Sequence, residues 1–225
     1  MKLVHPAFEN QIVIYENKAN VIVIENPELL TDIVFELKNQ ISGKEGSFIL
    51  SNNMEYISLS KAAEICVDPF SLDFNSRKLI SNLYEKLRKI ALDEDMYFDT
   101  AKVTGDILLY IENLLFSLDS DFVEYNLDID ITSIFKCAEV KFSTDYEKLS
   151  ERLLDYMSIY NEYCHTELFI FVNLKSYISN DELKNLYDTL FYRKIKILLI
   201  ESIERNQVLD CELLHVIDND LCQIK

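Results

Sequence analysis

Val21-Ile22-Val23-Ile24-Glu25-Asn26-Pro27-Glu28 runs directly into Leu29-Leu30-Thr31-Asp32-Ile33-Val34-Phe35-Glu36-Leu37, and this stretch decides the fold. The β-branched run reads as a buried strand, Glu25 to Glu28 as a tight turn, and the apolar spacing that follows as an amphipathic helix. Asn26 is placed to cap that helix, and Pro27 to occupy its first position, where a missing N–H costs nothing. This is where an α/β nucleotide-binding protein carries its phosphate loop. Here the turn has no glycine, lysine or serine. Backbone amides wrap a phosphate only where residues without a Cβ let the chain come close. Glu25 and Glu28 also put negative charge where a triphosphate needs positive charge. The sequence therefore predicts an α/β head with a P-loop-like, parallel-rich sheet that lacks a phosphate-binding loop.

Working outward, residues 11–16 and 20–25 read as strands joined by Asn17-Lys18, and the first helix runs from 27 to about 40. Short strands follow at 48–51 and 56–59, then a short helix at 61–66 ended by Asp68-Pro69. The middle is different. Residues 75–92 and 100–118 carry helical apolar stripes. The second of these also has Leu109 and Phe116 on its other side, and a helix apolar on both sides needs two partners, the second of which fits another subunit. The chain then returns to α/β, with a short helix at 131–138, a short strand at 140–142 and a long helix at 145–163. A continuous apolar strand lies at 168–172, a helix at 180–191, and strands at 195–200 and 213–217. Strand–helix–strand spacing implies parallel pairing through right-handed crossovers. The expected organisation is an α/β head of residues 1–72 plus 131–225, with an inserted two-helix arm and acidic hinge at 73–130.

At 225 residues and 49% apolar content the chain is long enough to bury a real core. Its apolar runs fall far short of the roughly 18 residues that suggest a membrane span, and Pro6, Glu9 and Asn10 interrupt any leader-like opening. Five cysteines with no C-x-x-C pair fit a reduced, cytoplasmic protein. The net charge of −17 argues against a nucleic-acid partner, but the two signs are segregated. Between 75 and 90 the cations Arg77, Lys78, Lys86, Arg88 and Lys89 face a single acid, Glu85, whereas between 93 and 130 the only base is Lys102. A ring or clamp with a positive interior and a negative exterior would show this pattern. So would an ordinary solvated surface.

The three histidines, His5, His165 and His215, offer little for acid–base catalysis. Nor does the chain contain a G-x-S-x-G, an H-E-x-x-H or a zinc-type spacing. Projected at about 100° per residue, Arg77 aligns with Arg88 and Lys78 with Lys89, opposite the apolar stripe and with Lys86 close by. That is the best polyanion candidate, because each cation that neutralises a phosphate releases a counterion. A solvated helix face with Glu85 in its middle is the alternative. Lys136 and Lys141 are further candidates. Asp119, Asp121, Glu124, Asp128 and Asp130 make the best metal candidate, since calcium takes about six to eight oxygens with flexible geometry. The stretch is not an EF-hand, as Glu124 stands where that loop needs glycine. A solvated acidic loop is the alternative here too.

Asn20-Val21-Ile22-Val23-Ile24-Glu25-Asn26, the two-helix arm, and Leu168-Phe169-Ile170-Phe171-Val172-Asn173-Leu174-Lys175-Ser176-Tyr177-Ile178-Ser179-Asn180-Asp181-Glu182-Leu183 together resemble the Csn-two family, the spacer-acquisition (adaptation) proteins of type II-A CRISPR systems. The resemblance implies a homotetrameric ring of α/β heads with helical arms, holding double-stranded DNA by its ends in a basic hole without ATP hydrolysis. It implies calcium stabilising the arms, with Asp119, Asp121, Glu124 and Asp128 as the matching ligands. It also implies partnership with the integrase proteins and the RNA-guided effector nuclease of the same locus. Two other readings stand beside it. One is a degenerate nucleotide-binding switch using Ser42-Gly43-Lys44-Glu45-Gly46-Ser47. The other is a protein-interaction adaptor docking through the doubly apolar helix, with no DNA binding.

Overall fold

A computed structural model describes residues 1–53, 55–118, 122–205 and 207–224. Chain order begins with strands β1 (Lys2–Val4), β2 (Ile12–Val13) and β3 (Ala19–Ile24), helix α1 (Pro27–Ile41), β4 (Ile49–Asn52), β5 (Glu55–Ile57), α2 (Leu59–Ala62) and β6 (Ala63–Cys66). Helices α3 (Arg77–Ala91), α4 (Tyr97–Phe116) and α5 (Ile131–Cys137) follow. The chain continues through α6 (Leu149–Cys164), β7 (Leu168–Val172), α7 (Asn180–Tyr192), β8 (Lys196–Glu201), β9 (Glu212–Ile217) and β10 (Gln223–Ile224). Two compact units result: Met1–Asp73 with Asp145–Lys225, and Phe74–Thr144. Among the described residues no helix is long and apolar enough to cross a membrane.

The first unit is built on a six-stranded sheet in the order β10-β9-β3-β8-β7-β6, parallel throughout except for β10. Strand β3 is central and buried at every position, as are β7 and β8, which is why their sequences are continuous rather than alternating apolar runs. Ile22, Ile24, Leu198 and Ile200 pack with Ile33 and Leu37 of α1 in one cluster. A smaller antiparallel sheet, β2-β1-β4-β5, completes the unit. Helix α7 opens on a capping box, with Ser179 Oγ accepting from Glu182 N and the Glu182 carboxylate accepting from Ser179 N. The hydrogen bonds from Ser179 hold the Glu182 carboxyl below its ordinary range.

Several expectations are corrected. Residues 11–16 do not form a full strand beside β3, because Ile12–Val13 pairs with β1 in the small sheet. The short helix expected at 61–66 lies earlier, at Leu59–Ala62, and the rest of that span is a strand. Ala63–Cys66 finds parallel partners in Leu168–Phe171, and that pairing overrides local helical preference. Residues 140–142 form no strand, since the Asn75 side chain takes both backbone groups of Phe142, accepting from its N at 2.9 Å and donating to its O at 3.2 Å. The same contacts move the expected 130/131 boundary. Helix α5 stays with the second unit, its Phe135 ring 6.0 Å from that of Tyr84 and its Phe135 carbonyl accepting from Tyr84 Oη at 3.5 Å.

One buried residue breaks the pattern. Asn20 lies in β3, fully buried, between Leu198 of β8 and Leu213 of β9, and among the described residues neither polar atom of its side chain has a hydrogen-bond partner. An unsatisfied buried amide costs about 1–3 kcal/mol. Asn20→Val is therefore expected to stabilise the protein by about that amount, read as a higher urea midpoint with an unchanged slope. A lower midpoint would show that the amide is satisfied in solution.

Candidate nucleic-acid interface

Helix α3 sorts its residues by chemistry. Leu79, Leu83 and Ala91 are buried, while Arg77, Lys78, Lys86, Arg88 and Lys89 are all exposed on the other side. Ser76 caps the helix, its Oγ accepting from Leu79 N at 3.3 Å. The first turn carries no acid and begins with Arg77 and Lys78. Cations at this end oppose the helix dipole, where a carboxylate would help by about 0.3–1 kcal/mol each. A locally unfavourable pair on a well-formed helix marks a surface shaped by something other than stability. Lys89 is partly engaged, 3.5 Å from Glu85 on the next turn, but both side chains are more than half exposed and the pair holds weakly.

Helix α5 and the segment after it carry the remaining cations. The Asn75 clamp holds Phe142, the residue after Lys141, against the segment just before α3. Lys136 is exposed in the last turn of α5. Asp130 caps that helix, accepting from Thr132 N at 3.1 Å and from the Thr132 hydroxyl. Those two bonds hold its carboxyl below the usual range, with further help from the charges of Arg88 and Lys136. The predicted cations thus fall into groups. Arg77, Lys78, Lys86, Arg88 and Lys89 lie on α3, Lys136 on α5, and Lys141 in the segment after α5 that Asn75 holds through Phe142. A cleft of about 370 Å³ opens beside Arg88, lined also by Tyr97, Thr100, Thr104, Asp128 and Asp130.

Of the predicted metal ligands, Asp119 and Asp121 lie outside the described residues. Glu124 and Asp128 are exposed, and Asp128 N donates to Asn126 Oδ1 at 3.1 Å. Among the described residues no three His, Cys, Asp or Glu side chains gather as a metal group. The donor chemistry of the stretch, carboxylates within ten positions of one another, suits a hard cation. Asp130, one of the five acids of the stretch, serves as the cap of α5, a role that Asp130-Ile131-Thr132 signals in the sequence. Nothing in the sequence marked Asn75 as a clamp.

The positions that would serve a nucleotide are occupied by the protein itself. At the start of α1, Asn26 Oδ1 accepts from Glu28 N at 3.1 Å and Leu29 N at 3.0 Å, Leu30 N donates to Asn26 O, and Pro27 has no N–H. In the 42–47 turn, Ser47 N donates to Glu36, Gly43 N to Gln40 O and Lys44 N to Asn39 O. A Cβ on Gly46 would stand 2.6 Å from Gln40 Oε1, so that glycine admits the side chain that pins Phe48 through both its backbone groups. Lys175, just past the end of β7, is buried with its Nζ 2.7 and 2.8 Å from the two carboxylate oxygens of Glu212.

A family model described as CRISPR-associated protein (Cas_Csn2) matches residues 40–221. The chain belongs to the Cas_Csn2 family. The match covers most of the sequence and bears out the resemblance read from the strand, arm and Ser179 helix start. Among curated proteins none matches this Cas_Csn2 chain. Among solved structures it is similar to a putative ABC transporter ATP-binding protein from Pyrococcus furiosus, at 10% identity and a TM-score of 0.42, covering 96% of this chain and 97% of that one.

Proposed function

We propose that this Cas_Csn2 protein binds the ends of double-stranded DNA during CRISPR spacer acquisition, without enzymatic chemistry of its own. The observation that carries the reading is the exposed cationic face of α3, with two cations at the end of the helix where they cost stability. Backbone phosphates would be held by charge and counterion release, so binding is independent of sequence and sensitive to salt. Arg77, Lys78, Lys86, Arg88 and Lys89 supply the contacts, with Lys136 and Lys141 as further ones. Asp119, Asp121, Glu124 and Asp128 would hold calcium, which supplies rigidity to the segment between α4 and α5. Helix α4 has no buried residue, with Phe116 91% and Tyr110 65% exposed. That apolar surface supports assembly into a homotetrameric ring. The integrase proteins and the RNA-guided effector nuclease of the locus are the proposed partners.

Threading makes a sharp prediction. Linear duplex should be retarded in a native gel and covalently closed circles of the same sequence should not, with retardation lost on chelation of calcium. Equal retardation of closed circles would sink the threading mechanism. Absence of duplex affinity at low salt, with salt-insensitive binding to a protein, would select the adaptor reading that the α4 surface also favours.

A further inference from the structure

We infer that the cavity between the end of α1 and the start of α2 takes the guanidinium of an arginine side chain carried by a basic protein partner. The cavity belongs to the sheet unit and stands apart from the DNA contact proposed above. Its volume is about 430 Å³, and Lys44, Glu45, Tyr56, Ser58, Leu59 and Ser60 line it together with Gln40 and two glycines. Strand register puts Tyr56 there. Ile57 pairs with Leu50 and packs on the core, so Tyr56 stands on the other face of β5, 67% exposed. Hydrogen-bonding capacity then selects the ligand. Gln40 spends its amide on both backbone groups of Phe48. Gly43 N and Lys44 N donate to Gln40 O and Asn39 O. The Lys44 ammonium donates at 3.0 Å to Asn39 Oδ1, outside the lining. The capacity left is mainly for accepting. Among the described residues the side chains of Glu45 and Tyr56 have no hydrogen-bond or ion-pair partner. The hydroxyls of Ser58 and Ser60 share one hydrogen bond at 2.8 Å and keep lone pairs for a further donor. A guanidinium answers each of these groups. The carboxylate and hydroxyl oxygens accept from its N–H groups, the phenol face attracts its charge, and buried Leu59 meets its methylene stem. An ammonium lacks the planar fork, and an anion would meet the Glu45 carboxylate. The net charge of −17 favours the approach of a basic partner.

The probe is a Gly-Arg-Gly peptide, acetylated and amidated so that its only charge is the guanidinium. Its Kd for the full-length protein is measured at low salt by saturation-transfer difference NMR, which suits weak ligands of large proteins. Three further probes define the chemistry. Gly-citrulline-Gly keeps the shape without the charge, Gly-Lys-Gly keeps the charge without the fork, and deoxyadenosine monophosphate stands for a nucleotide. The arginine peptide is expected to bind more tightly than all three. Glu45→Gln should weaken it about five-fold and Tyr56→Leu about two- to five-fold. Both side chains are exposed, so neither change should lower the melting temperature. Asp32→Asn, on the exposed side of α1 and outside the lining, removes one negative charge elsewhere and should leave the Kd unchanged. Equal binding of the citrulline or lysine peptide would overturn the proposal, as would the same loss from Asp32→Asn as from Glu45→Gln. Binding of the nucleotide in place of the arginine peptide, or of no probe at all, would overturn it too. None of these outcomes bears on duplex binding, so the DNA reading stands or falls separately.

Discussion

Lys175→Met should destabilise the sheet unit by about 3–5 kcal/mol, the usual cost of leaving a buried charge without its partner. Lys175 is 8% exposed and Glu212 7%. Glu212 is satisfied on both oxygens: Oε1 by Lys175 Nζ at 2.7 Å and Tyr187 Oη at 2.9 Å, Oε2 by Lys175 Nζ at 2.8 Å and Leu209 N at 3.0 Å. Removing the ammonium leaves a carboxylate among apolar neighbours, with only two neutral donors. The backbone of Lys175 also donates to Glu201 Oε1 at 3.1 Å, and burial pushes the Glu201 carboxyl above its ordinary range. The check is urea unfolding followed by far-ultraviolet circular dichroism. Lys175→Met with Glu212→Gln should recover most of the loss, because glutamine still offers Tyr187 an oxygen but carries no charge. A single-variant loss under about 1 kcal/mol would mean that the pair is solvated and worth no more than a surface ion pair.

That network also shows where sequence reading stops. Lys175 and Glu212 are far apart in the chain, and neither has a local pattern that announces burial. Their meeting depends on where β9 lies relative to the turn after β7, which is a property of strand order. By contrast, Val21 to Leu37 was legible because every clue in it is local. The apolar run marks the strand, Asn26 the cap and Pro27 the first helical position, and the structure places all three as expected. The failures at 61–66 and 140–142 have the opposite character. Ala63–Cys66 becomes a strand only because β7 offers it parallel partners, and Phe142 loses its ladder to a side chain from residue 75.

The basic face of α3 was legible for the same local reason as the cap. Helical periodicity sorts charge from apolar side chains without reference to the rest of the fold. Its extension to Lys136 and Lys141 was only partly so, because α5 and the segment after it are held through Asn75, Tyr84 and Phe135, which are tertiary contacts. Asp130 fits both a metal ligand and a helix cap by residue type, and the structure shows the cap, with Thr132 N donating to its carboxylate.

The α3 face should separate binding from stability when Arg77 and Lys78 are both replaced by glutamate. If each cation neutralises one phosphate, the pair contributes about 1.8 to the slope of log affinity against log salt. Its loss should weaken duplex binding by about 60-fold near 0.1 M salt, from counterion release alone. Two new carboxylates facing the duplex would add repulsion to that loss. Stability should move the other way. Acids in the first turn meet the positive end of the helix dipole, where each is worth about 0.3–1 kcal/mol, and the unfavourable cations are gone. Helix α3 begins at Arg77 with Ser76 as its cap, so both substitutions fall inside that first turn. A variant that melts at or above the wild-type temperature yet has lost both affinity and salt slope cannot be explained by unfolding. Undiminished affinity would remove this end of α3 from the contact and leave Lys86, Arg88, Lys89 and Lys136 to carry it.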